Sequence, residues 1–259
     1  MAYFRAQLQK LSRSEANMYQ AITDLDYFQL LTRDSNKIPL FEAALSIAKD
    51  QYPALDLQEG LSRFDALAKK LADRCRDVST EQSRLRHTSQ FFFKDCGFTG
   101  NANNYYDPNN SFLHKVMETR RGIPISLAVL YCELARSVGL DAHGIAFPGH
   151  FLVKVKLHEG VVVLDPFSGQ SLSRDDLQER AGPLVGNSVG NSSDHGAGSS
   201  TGNSAGSRAG KLESLLRPAS APQILTRMLN NLRAIYDQQD RADLLAKVEQ
   251  RLRLLQSNR

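Results

Sequence analysis

Hydrophobic positions recur at helical spacing in the first third of the chain and switch to strand spacing only past its middle. Over residues 1–90 the period is three to four. Leu8 and Leu11 precede a break, and Ile22, Leu25, Phe28, Leu30 and Leu31 follow it. Ile38-Pro39-Leu40 sets a proline near a helix start, and Phe41, Ala44, Leu45 and Ala48 carry that helix to Tyr52-Pro53. Leu57, Leu61, Phe64, Leu67, Ala68 and Leu71 form the clearest stripe, with Lys69, Lys70, Asp73 and Arg74 off its face. The pattern predicts a helical scaffold over 1–90, and no chemistry is assigned to it.

Phe91-Phe92-Phe93 ends a further helix. From Cys96 to Asn110 the chain is rich in Gly, Asn and Asp and reads as a connector. Asn110 is the expected N-cap of a helix carrying Phe112, Leu113, Val116 and Met117, with Gly122 as its stop. Pro124 then fits the first turn of the next helix, whose buried face is Leu127, Leu130, Tyr131, Leu134 and Val138 and whose end is Gly139. Beyond it, strands are expected over 143–147, 151–157 and 161–164, the last two joined at His158-Glu159-Gly160. Residues 182–210 are Gly, Ser and Asn with almost no core formers, so a flexible insertion is expected, with His195 a solvated loop residue. Pro218 and Pro222 introduce two amphipathic stretches that predict an αα-hairpin over 211–259, similar to one tetratricopeptide repeat. The fold class is therefore α+β, in four stretches: 1–90, 91–181, 182–210 and 211–259.

Composition narrows the function classes. With 259 residues, 41% hydrophobic and 23% charged, the chain has the profile of an ordinary globular protein. Its formal net charge of +4 permits a weak basic patch but does not argue for nucleic acid. No apolar run reaches bilayer length, and the first residues lack an apolar leader core, so a cytoplasmic location is expected. Three cysteines, Cys75, Cys96 and Cys132, are too few and too scattered for a disulfide framework or a zinc site, and each is read as a buried small hydrophobe. His87, His114, His143 and His158 lack ligand spacing and are read as surface or satisfied residues. No cofactor and no metal are expected.

The candidate chemistry lies between 110 and 165. His150 follows Pro148-Gly149 at a strand start, and Asp165 ends the next strand of a hairpin that could set the two side by side. His150 reads either as part of a polar pocket or as a structural histidine bonded to a backbone carbonyl. Asp165 reads equally as its orienting carboxylate or as a turn cap before Pro166. Arg120 and Arg121 either complement a helix dipole or bind an anion, and Gly149 permits a tight strand entry. Tyr105 and Tyr106 are read as packing residues.

The helix opening at Gly122-Ile123-Pro124, the Gly149-His150 strand and the Leu164-Asp165 strand resemble the three parts of a transglutaminase-like (papain-like) core. That resemblance implies a thiol at a helix start, an imidazole and a carboxylate, acting as nucleophile, base and orienter. Pro124 occupies the expected place of the cysteine. Ser126 is displaced along the helix, and Cys132 lies about two turns inside it, roughly 12 Å away. The runs CGFTGNANNYYDPNNSFLHKVMETRRGIPISLAVLYCELARSVGL, GIAFPGHFLVKV and LDPFSG more closely resemble the SirB family, over most of the chain from about Ile38 onward except the Gly/Ser stretch. The resemblance implies a regulatory role on a core whose own pattern is Gly-Ile-Pro. The expectation is a non-enzymatic regulatory or scaffolding protein with His150 and Asp165 as a vestigial pair, flanked by Asn110, Arg120, Arg121 and Gly149. Protein partners would use that cleft or the 211–259 helices, and oligomeric state is left open. The alternatives are a hydrolase or acyl transferase using Ser126 or Cys96 with His150 and Asp165, and a nucleic-acid-binding regulator.

Overall fold

The structure, a computed structural model, describes residues 23–186 and 210–257. Its described helices are, in chain order, α1 (Asp24–Thr32), α2 (Leu40–Ser46), α3 (Leu57–Arg74), α4 (Glu81–Ser89), α5 (Leu113–Thr119), α6 (Pro124–Ser137), α7 (Arg174–Gly186), α8 (Ala221–Gln238) and α9 (Ala242–Ser257). The strands are β1 (Thr99–Gly100), β2 (Arg121–Gly122), β3 (Asp141–Ile145), β4 (Leu152–Leu157), β5 (Gly160–Asp165) and β6 (Gln170–Leu172). The architecture is α+β, with a small parallel pair and a four-stranded antiparallel meander. Two compact units interleave along the sequence. One draws on Met1–Ala66, Asn104–Thr119 and Ser220–Arg259, the other on Leu67–Asn103 and Arg120–Ala219.

In the first unit, helix ends are set by local side chains. Thr23 and Asp26 form a capping box at α1, and Ser220 and Gln223 form one at α8. Helix α8 buries Ile224, Leu225, Met228, Leu229, Leu232, Ile235 and Tyr236, and α9 buries Leu244, Val248, Leu252 and Leu255. The same face of α9 carries Arg251, only 1% exposed. Its Nε and NH2 donate to the two Asp50 oxygens at 2.7 and 2.9 Å, and its guanidinium lies 4.8 Å from the Phe28 ring centroid. Tyr236 OH donates to Gln51 at 2.8 Å. The hairpin expected at the C-terminus thus folds against helices from the start of the chain.

In the second unit a π-helical turn over Gln90–Asp95 follows α4 and buries Phe91 and Phe92. Phe92 stacks on Phe98 with centroids 4.4 Å apart and meets Tyr131 of α6 edge-on. Two sequence expectations fail here. Helix α5 stops at Arg120, which takes φ 62, and not at Gly122, which sits in the parallel ladder opposite Gly100. Arg120 sustains this conformation, uncommon for a side chain with a Cβ, while its guanidinium lies 4.6 Å from the Phe98 ring centroid. The first meander strand covers Asp141–Ile145, two residues earlier than its apolar pattern suggests, because the turn at Pro148-Gly149 needs Ala146 and Phe147 outside the ladder.

Register fixes the two faces of the meander. Ile145 pairs with Leu152, and Lys154 with Val163, so these four share a face. Ile145, Leu152 and Val163 pack there with Leu177 and Ala181 of α7 and with Leu212. Ala142, Val153, Val155 and Leu164 are buried on the opposite face, where α6 packs against β3 and β4. Helix α7 opens at a Ser173–Asp176 capping box and continues, through a kink at Gly182, to Gly186. It therefore takes in the first residues of the stretch read as an insertion. Residues 187–209 of that stretch, His195 among them, lie outside the described residues, as do Leu8, Leu11 and Ile22.

Candidate functional site

Helix α6 begins at Pro124, whose missing N–H costs nothing in a first turn. Ile123 is the N-cap residue. Ser126 serves the capping: its Oγ accepts from Ile123 N–H at 3.1 Å and donates to Ile123 C=O at 3.0 Å. Ser126 is fully buried. A helix N-terminus that would favour a thiolate here carries a proline ring and an internal hydroxyl.

His150 closes a turn in which its N–H donates to Phe147 C=O at 3.0 Å. Pro148 and Gly149 occupy the central positions, and Gly149 has φ 70. Proline followed by a residue of positive φ is the type II pattern, so Gly149 is required by the backbone, and open space surrounds the place where a Cβ would sit. The His150 side chain is half-buried.

Asp165 ends β5, one step past Leu164, which pairs with Val153. Alternation puts it on the face that carries Val163 and α7, opposite the face that packs on α6. Its Oδ1 accepts from Phe167 N–H at 2.9 Å, and its Oδ2 lies 3.2 Å from Arg180 NH1 on α7. The carboxylate, 7% exposed, thus caps the turn after β5 and pairs with a guanidinium. The Phe167 bond is that of a turn cap, one of the two roles the sequence left open for Asp165. Arg180 was missed by sequence reasoning, because nothing local marks a partner on an unanticipated helix.

The other candidates divide as follows. Cys96 ends the π-helical turn, with its N–H donating to Phe91 C=O at 2.8 Å, and it is half-buried where full burial was expected. Burial pushes its thiol pKa up despite the opposing pull of Arg120, Lys70 and Arg74. Cys132 is buried, and burial pushes it up to about 12; Cys75 is buried as well. Arg120 stacks on Phe98, while Arg121 NH1 lies 3.3 Å from Gly97 C=O. Asn110 belongs to the first unit and is not a helix cap: it sits in a 3-10 turn, and its Nδ2 donates to Asn104 and Tyr105 carbonyls at 2.6 and 3.2 Å. Asp107 does the capping there, accepting from Asn109 N–H. His87 and His114, read as surface or satisfied residues, each have a buried Nδ1 without a hydrogen-bond partner. Among the described residues no group of three His, Cys, Asp or Glu is placed to hold a metal, and no helix is long and apolar enough to cross a membrane.

A helix start, a turn-borne histidine and a strand-end aspartate follow one another in this chain, and a family model for the transglutaminase-like superfamily matches residues 58–230. The chain belongs to the transglutaminase-like superfamily. Within it, the chain is 36% identical over 230 residues to a UPF0162 protein of Xylella fastidiosa, covering 88% of this chain and 76% of that one. A UPF0162 protein of Vibrio cholerae is 30% identical over 161 residues, 60% of each chain. The F-box only protein 21 of Pongo abelii is 36% identical over 95 residues, 36% of this chain and 15% of that protein. No solved structure matches the chain. In this transglutaminase-like chain the first residue of α6 is Pro124.

Proposed function

We propose that the protein is a non-enzymatic regulator or scaffold on a degenerate transglutaminase-like fold, acting through protein–protein contact in the manner the SirB resemblance implies. The observation that carries this reading is Pro124 at the first position of α6, with Ser126 Oγ bonded on both sides to Ile123. An imidazole at His150 then lacks a thiol to deprotonate, and a buried hydroxyl engaged as donor and acceptor is a poor substitute. Asp165, bonded to Phe167 and Arg180, supports a structural role for the third member. Partners would be proteins, bound around His150 or on α8 and α9.

The competing reading is a hydrolase or acyl transferase using Ser126 or Cys96. The native protein treated with a fluorophosphonate should form no adduct at Ser126. Iodoacetamide should alkylate Cys96 at the same rate in wild type and in His150→Ala. An adduct on Ser126, or a tenfold slower alkylation of Cys96 without His150, would establish catalysis instead.

A further inference from the structure

Between α8 and α9 lies an open groove of about 480 Å³, contained within the first unit. Thr226, Asn230 and Arg233 line one wall, and Glu249, Arg253 and Gln256 the other, over Leu252. The spacings of four and three on each helix hold these side chains on facing ridges. Elsewhere in the same unit three arginines pair with carboxylates: Arg63 with Glu59, Arg241 with Asp243, Arg251 with Asp50. In the groove Arg233 and Arg253 make no ion pair with any described residue, and neither does Glu249, although all three are exposed. Two guanidiniums, the Glu249 carboxylate, two side-chain amides and a hydroxyl line one concavity, so positive charge prevails there two to one, with the nearly buried Leu252 beneath.

We infer that this groove docks an acidic, carboxylate-bearing peptide segment of a partner protein. The inference deepens the reading of a partner-binding protein and rests on it. Guanidinium forks match carboxylates in geometry as well as in charge, and Asn230 and Gln256 can bond either edge of an extended backbone. The stretches of this sequence outside the described residues carry no acidic run: 1–22 holds Arg5, Lys10 and Arg13 against Glu15, 187–209 holds Arg208 against Asp194, and 258–259 holds Arg259.

The test uses the full chain and a fluorescent peptide of repeated Glu-Glu-Leu, followed by anisotropy. Wild type should bind it, more weakly as salt rises, and should discriminate against a Gln-Gln-Leu counterpart. Arg233→Glu with Arg253→Glu should weaken binding about tenfold or more, since each reversal turns an attraction into a repulsion. The same double variant should gain affinity for Lys-Lys-Leu. Both positions are exposed, so unchanged thermal melting is expected and confirms folding. Equal binding of the Gln peptide, or affinity indifferent to the double variant, overturns the groove. A parallel pull-down separates the two readings: partners captured equally by wild type and variant leave the scaffold reading standing and sink the groove. Acidic-peptide binding together with a Ser126 adduct would do the reverse.

Discussion

The Ser126 hydroxyl is part of the architecture at the start of α6. Its two bonds to Ile123 satisfy groups that a helix start leaves open. Ser126→Ala should lower unfolding free energy by about 1 kcal/mol in urea titration, the usual worth of such a cap. Asp165 makes the same point more strongly, because it joins a backbone N–H to a guanidinium in a nearly buried place. Asp165→Ala should cost about 2–3 kcal/mol, as charge-assisted bonds are lost together, and Asp165→Asn should cost less, since its oxygen still accepts from Phe167. His114 carries a titration signature. Burial, helped by Lys115 and Arg63 against the opposing Glu118, pushes its pKa down to about 4, with the ring packed on Tyr52. The unfolded chain, with its histidine near 6.5, binds more protons than the folded one between those values. This contribution to stability is whole above pH 6.5 and is lost as pH falls toward about 4. His114→Phe should flatten that limb of a urea-midpoint profile.

At the scale of elements, amphipathic spacing made α3, α8 and α9 legible, and Pro124 marked the start of α6 because proline suits a first turn and little else in a helix. Other elements were illegible for definite reasons. The parallel pair β1–β2 is two residues long and has no period to read, and the left-handed turn that ends α5 is carried by Arg120, a residue type that gives no warning of it. Helix α7 did announce itself through Ser173 and Asp176, three residues apart, but its low-complexity continuation hid the signal. Within the site, the Pro148-Gly149 turn could be read locally. The partners of Asp165 could not, since Arg180 is defined only by the sheet face on which both lie. A Cβ on Gly100 would come within 2.3 Å of the Phe167 ring, so Gly100→Ala should displace the turn that Asp165 caps. The expected cost is about 1–3 kcal/mol, read from the urea midpoint.

At the scale of the whole molecule, the division into two interleaved units changes what deletion can teach. Removing 211–259 would take Arg251, Tyr236 and the buried face of α8 from a unit that also contains α1 and α2. Point changes on exposed groove residues are the cleaner probe of partner binding. Arg251→Ala leaves Asp50 charged, nearly buried and unpaired, and should cost about 3–5 kcal/mol. Arg251→Met with Asp50→Leu should recover much of that loss, as judged by thermal melting.

The Arg251–Asp50 pair joins residues 201 positions apart. A ribosome must therefore add the 201 residues from Asp50 to Arg251 before the helices around Asp50 meet their ionic partner. Until then Asp50 and the ring of Phe28 wait uncovered, in need of a chaperone or of speed. The unit formed by Leu67–Asn103 and Arg120–Ala219 has no such debt to α9 and can reach its fold first. Pulsed hydrogen exchange on refolding chains should accordingly protect β3–β5 amides before those of α1.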